Sequence, residues 1–72
     1  MLRELKANEG MQMATGEFSA KLASVPAKFS YSADGVTYTE YVKDIDDTTL
    51  VVVGMPQNMF IKFNVDAQVN YR

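Results

Sequence analysis

From Met59 to Tyr71 the chain reads Met-Phe-Ile-Lys-Phe-Asn-Val-Asp-Ala-Gln-Val-Asn-Tyr, and every odd position in that stretch is apolar. The even positions from 60 to 70 are polar in every case but Phe60. Successive side chains of a strand point to opposite faces, so alternation of this length marks a strand with one face buried and one face wet. If extended, the 13 residues would run roughly 43 Å at about 3.3 Å each. A compact domain of 72 residues has a diameter of roughly 29 Å. A two-residue hairpin would reverse the parity, which it does not. A three-residue turn at Asn64-Val65-Asp66 would keep it, but that turn has no glycine. The stretch is therefore expected to be one continuous strand, straight or bent, whose end projects towards a neighbouring subunit.

That expectation selects interface candidates. Phe60 is the sole large apolar residue on the wet face, and exposed aromatics anchor interfaces. Lys62 and Tyr71 share its strand, and Leu2 and Leu5 come from the N-terminal arm. The alternative for Phe60 is cover by a local loop or by that arm.

A chain of 72 residues is one domain, read as an N-terminal arm (1–10) and a β core (11–72). At this size only about 60% of the unfolded surface is buried, so outside support is expected. Disulfides and thiolate metal sites are excluded by the lack of cysteine, and the commonest general base by the lack of histidine. That leaves oligomerisation. The net charge is −2, with Arg3, Lys6, Lys21, Lys28, Lys43, Lys62 and Arg72 scattered singly. Nucleic-acid binding needs a concentrated basic face, so no such partner is expected. No apolar run is long enough for a membrane span and no signal-peptide core opens the chain, so synthesis in the cytoplasm is expected, with a virion as a candidate destination.

Along the chain, residues 1–10 are ambiguous between helix and strand: Leu2 and Leu5 fit helical spacing, and Asn8-Glu9-Gly10 ends the segment. Met11, Met13 and Thr15 alternate weakly before a turn at Thr15-Gly16. Phe18, Ala20 and Leu22 alternate with Glu17, Ser19 and Lys21, although Phe18, Leu22 and Val25 also fit a helical face; Pro26 ends either element. Residues 28–41 read as a hairpin about Asp34-Gly35, the dipeptide of type I′ turns. Its register sets Tyr31 opposite Tyr38, with Ala27, Phe29, Ala33, Val36, Glu40 and Val42 on the same inward face. Lys28, Ser30, Ser32, Thr37, Thr39, Tyr41 and Lys43 fall on the wet face. Leu50-Val51-Val52-Val53 suits a strand buried on both faces or one lying against a partner. The total is about six strands, an all-β chain forming a small antiparallel sandwich or partly open barrel.

Chemistry is sparse. Asp44, Asp46 and Asp47, with Glu40, offer oxygen ligands for calcium, but the glycine and terminal glutamate of an EF-hand are out of register, and a solvated loop is the stronger reading. Tyr41 and Thr39, with Asp46 and Asp47, are the candidates for a sugar or other ligand, while Tyr38 is assigned to the core. Met11, Met13, Met55 and Met59 are read as core fillers. No nucleophile elbow, P-loop or dinucleotide fingerprint occurs, so no enzyme and no cofactor are expected.

Three stretches carry family resemblances. Ser32-Ala-Asp34-Gly35-Val-Thr37-Tyr38 resembles the Asp-box of sialidase propeller hairpins, one residue short between aspartate and glycine; in that family the box is a folding motif. Phe29-x-Tyr-Ser-x-Asp-Gly-x-x-Tyr38 resembles the central hairpin of bacterial and phage immunoglobulin-like and carbohydrate-associated sandwiches. Leu50 to Phe63 resembles the fibronectin type III passage of strand, Gly-hydrophobic-Pro turn and strand. This chain is shorter than those domains and has no tryptophan. The resemblance implies recognition or structural work, in phage as decoration, fibre or tail components. The expected function is thus a non-enzymatic assembly protein, self-associating or docked on a larger particle. A carbohydrate-binding module and a small regulatory or inhibitory protein are the alternatives.

Overall fold

A computed structural model describes residues 1–71, with the backbone alone at 42–44. Arg72 and the side chains of Val42, Lys43 and Asp44, assigned above to a cation, a core face, a wet face and a calcium ligand, lie outside the described residues. The described chain is all-β: β1 (Leu2–Leu5), β2 (Met11–Met13), β3 (Phe18–Leu22), β4 (Ala27–Ser32), β5 (Thr39–Ile45), β6 (Thr49–Val52), β7 (Met59–Phe63) and β8 (Ala67–Tyr71). Two four-stranded antiparallel sheets form, ordered β1-β8-β3-β6 and β2-β7-β4-β5.

Eight strands replace the expected six for two reasons. Residues 2–5 pair with β8 as a strand of the first sheet, and the terminal backbone groups of Met1 and Tyr71 bond to each other. The stretch 59–71 is two strands, each internal to a different sheet. The chain measures 26 × 25 × 20 Å, so a continuous strand of that length indeed does not fit. It turns at Asn64-Val65-Asp66 instead of projecting outward.

No glycine is needed there, because neither Asn64, Val65 nor Asp66 takes a positive φ. Side chains stabilise the corner. Asn64 Oδ1 accepts from Lys28 N–H at 2.7 Å and Asp66 Oδ1 from Ala7 N–H at 2.8 Å. Backbone bonds from Asn64 N–H to Lys28 O, Ala23 N–H to Asp66 O and Asn8 N–H to Phe63 O complete it. Alternation survives the turn: Ile61, Phe63, Ala67 and Val69 are buried, and Val65 packs against them.

Both sheets face one core. Phe29 stacks on its cross-strand neighbour Phe63 at 5.0 Å and meets Phe18 of the other sheet edge to face at 5.6 Å. Such pairs add about 0.5–1.5 kcal/mol each beyond area burial. Met11, Met13 and Met55 are buried and Met59 packs on the core, filling its irregular gaps as read from the sequence. Strand β6 is not buried on both faces: Val52 is inside, Leu50 is half-buried, and Val51 and Val53 are exposed.

The two-residue Asp-Gly hairpin does not form. Strands β4 and β5 are joined by residues 33–38, and Tyr31 pairs with Thr39 instead of Tyr38. Two register shifts follow, and Tyr41 is the extra residue between the pairs Phe29–Val42 and Ser30–Glu40. A bulge re-aims its side chain, so the ring of Tyr41 meets Phe29 and Tyr31, each at 5.5 Å, while the residue stays 48% exposed.

Because the corner joins the two sheets, Asp66→Ala is expected to cost about 1 kcal/mol of stability in urea unfolding, the net value of a hydrogen bond at an exposed site. Asn70→Ala, on the same stretch but away from the corner, is expected to cost less than about 0.5 kcal/mol.

Candidate assembly interface

The wet face of β7 is covered by its own chain. Loop 33–38 lies over Phe60, which is half-buried, and a Cβ added at Gly35 would sit 3.3 Å from three atoms of that ring. Gly35 has φ +77°, a conformation costly for other residues, which lets bare backbone approach the ring. Beside it Lys62 Nζ stands 4.4 Å from the centre of the Tyr38 ring, and the Tyr38 hydroxyl borders Gly10. Tyr38 is thus on the outer face of its sheet, with Lys62, and not in the core.

The loop is closed by the residues that resemble an Asp-box. Ser32 Oγ donates to Asp34 Oδ1 at 2.8 Å and accepts from the N–H groups of Asp34 and Gly35. Asp34 Oδ1 also accepts from Val36 N–H at 2.9 Å and Thr37 N–H at 3.0 Å. The Val36 and Thr37 amides, then Ser32, hold the Asp34 carboxyl down at about 2, from an ordinary 3.8. The chemistry is that of a loop clamp.

The other candidates lie apart. Leu5 is 2% exposed and belongs to the core, so its side chain is closed to a partner on this surface. Leu2 is exposed on edge strand β1, and Tyr71 is half-buried against the core. Thr39 is exposed, and Tyr41 keeps part of its surface in water beside Phe29 and Tyr31. Asp46 and Asp47 are exposed, and Asp47 Oδ1 caps the Thr49 N–H at 3.0 Å. Among the described residues, no three carboxylates converge. A cleft of about 300 Å³ lies between Lys6, Lys21, Glu4 and Asp66, its charges of mixed sign.

The sheet edges differ in how open they are to another strand. An unpaired edge strand templates pairing with another chain unless it is short, charged or bulged. Three of the four edges are guarded: β2 has three residues, β5 carries two register shifts and Glu40, and β1 carries Arg3 and Glu4. Strand β6, Thr-Leu-Val-Val followed by Val53, has no charge, no proline and no bulge against β3. Its pairing with β3 continues through the bond from Leu22 N–H to Thr48 O, so Thr48, Leu50 and Val52 turn their backbone groups inward. The Val51 N–H and C=O, the Thr49 C=O and the Val53 N–H point outward. Val51 and Val53 are each 66% exposed beside them. The signal was present as a run of four apolar residues, three of them valine, at 50–53; what it lacked was the edge position.

Searches of protein-family models, curated proteins and solved structures found no match to this chain.

Because the Asp34 carboxyl is depressed by folding, its ionised form contributes stability that is complete above pH 3.8 and lost as pH falls through about 2. The Val36 and Thr37 amide resonances are accordingly expected to titrate together with a midpoint near 2. Asp34→Asn keeps the Oδ1 acceptor and is expected to retain the closed loop without that titration. Asp34→Ala is expected to open the loop and expose Phe60, read as accelerated amide exchange at Val36 and Thr37.

Proposed function

We propose that this chain is a non-catalytic assembly protein that works by adding its β6 edge to another strand, in the role of an accessory component of a larger particle such as a phage virion. One observation carries the reading: of four sheet edges, three are guarded against strand addition and β6 is not. Strand addition supplies affinity through backbone hydrogen bonds and selectivity through alternate side chains. Here those side chains are Val51 and Val53. The small size of the chain adds to the case, since pairing at an edge extends an otherwise limited core. The virion setting rests on the resemblance of the Phe29–Tyr38 sequence to bacterial and phage immunoglobulin-like sandwiches and of the Leu50–Phe63 passage to fibronectin type III domains.

Sedimentation equilibrium up to about 100 μM, a range that detects weak association, is expected to give a mass above the 8.0 kDa of one chain. A monomer across that range, with no strand-mediated capture by particle components, would contradict the reading.

A further inference from the structure

Resting on that reading, we infer that the partner of β6 is β6 of a second copy, paired antiparallel about a two-fold axis at Val51. The outward backbone groups fit a register centred on the middle of the strand. With Val51 opposite Val51, each Val51 N–H donates to the Val51 C=O of the other copy. One step out, each Val53 N–H donates to the Thr49 C=O across the axis. The Thr49 N–H, the one outward donor that would otherwise face the Val53 C=O, is already bonded to Asp47 Oδ1 within its own chain. The four bonds so formed use the outward donors between Thr49 and Val53 that have no partner among the described residues.

Charge is compatible with a second copy as the partner. Residues 49–53 carry no charge, so nothing in the paired stretch repels its own image. The nearest acids, Asp46 and Asp47, fall opposite Pro56 and Met55 of the other copy, at the two far ends of the pairing, and never opposite each other. Side chains agree: Val51 and Val53 of both copies would line up on one outer face, and the half-buried Leu50 would gain Val52 of the other copy as its cross-strand neighbour. The product is a continuous eight-stranded sheet ordered β1-β8-β3-β6-β6-β3-β8-β1. It closes as a dimer, because the contact is isologous. A head-to-tail contact of β6 with β1 would instead grow open filaments.

Val51→Pro tests the bonds directly. It removes only an N–H that points away from β3, and edge strands accept proline at such positions. Val51→Lys and Val51→Glu test the axis, since like charges directly opposite repel and opposite charges attract. Wild type is expected to sediment as a dimer. Val51→Pro, Val51→Lys and Val51→Glu are each expected to dissociate at least about tenfold more readily, with far-UV circular dichroism unchanged. An equimolar mixture of the lysine and glutamate variants is expected to regain the dimer. A folded Val51→Pro that still dimerises, a mixture that fails to re-associate, or a polydisperse filament would overturn the two-fold register while leaving assembly itself intact. A wild type that stays monomeric would overturn pairing with a second copy, and one that also captures no foreign strand would overturn the proposed function as well.

Discussion

The fold depends on a corner that turns without changing parity. Residues 59–71 supply an internal strand to each sheet, so the bend at Asn64-Val65-Asp66 decides where both sheets lie. Alternation through the bend keeps Ile61, Phe63, Ala67 and Val69 on the core side. A one-residue slip would turn that set to water and bring Lys62 and Gln68 inside. The asparagine and aspartate of the corner accept from Lys28 and Ala7 amides, which ties the start of β4 and the β1–β2 connection to the same point.

Much of this architecture was legible from periodicity. The all-β class, the buried odd positions of 59–71, the strands at Phe18–Leu22 and Ala27–Ser32 and the core methionines follow from alternation and composition. What misled was the weight given to glycine and to the Asp-Gly pair. A corner stabilised by side-chain acceptors at ordinary φ needs no glycine, so Asn64 and Asp66 looked like wet-face residues of a long strand. Local turn preference alone makes Asp34-Gly35 a tight hairpin. Tertiary contact decides there: Gly35 lies flat on Phe60, which demands a longer loop, and Ser32 and Asp34 clamp it. The register then changes, bringing the exposed Tyr41 against Phe29 and Tyr31 and Tyr38 to the outer face.

The candidate site was legible only in part. Phe60 was singled out as exposed, yet one side of its ring is taken up by the chain's own loop. The run at 50–53 suits a strand buried on both faces or one lying against a partner; the exposed valines exclude the first, and an edge cannot be recognised before strand order is known. Order turns two exposed valines and a row of free backbone groups into one directional surface. The contrast with β1, β2 and β5, each guarded by charge, brevity or bulging, is what gives that surface meaning.

The central claim is that the outward amides of β6 become bonded when a second chain joins. Amide hydrogen exchange read residue by residue at low and high protein concentration measures this most directly. The account predicts that Val51 and Val53 become protected as concentration rises, while Thr49, already bonded to Asp47, is protected at both. Exchange at Val51 and Val53 that stays fast at every concentration, alongside a rising mass, would place the contact elsewhere and contradict the account.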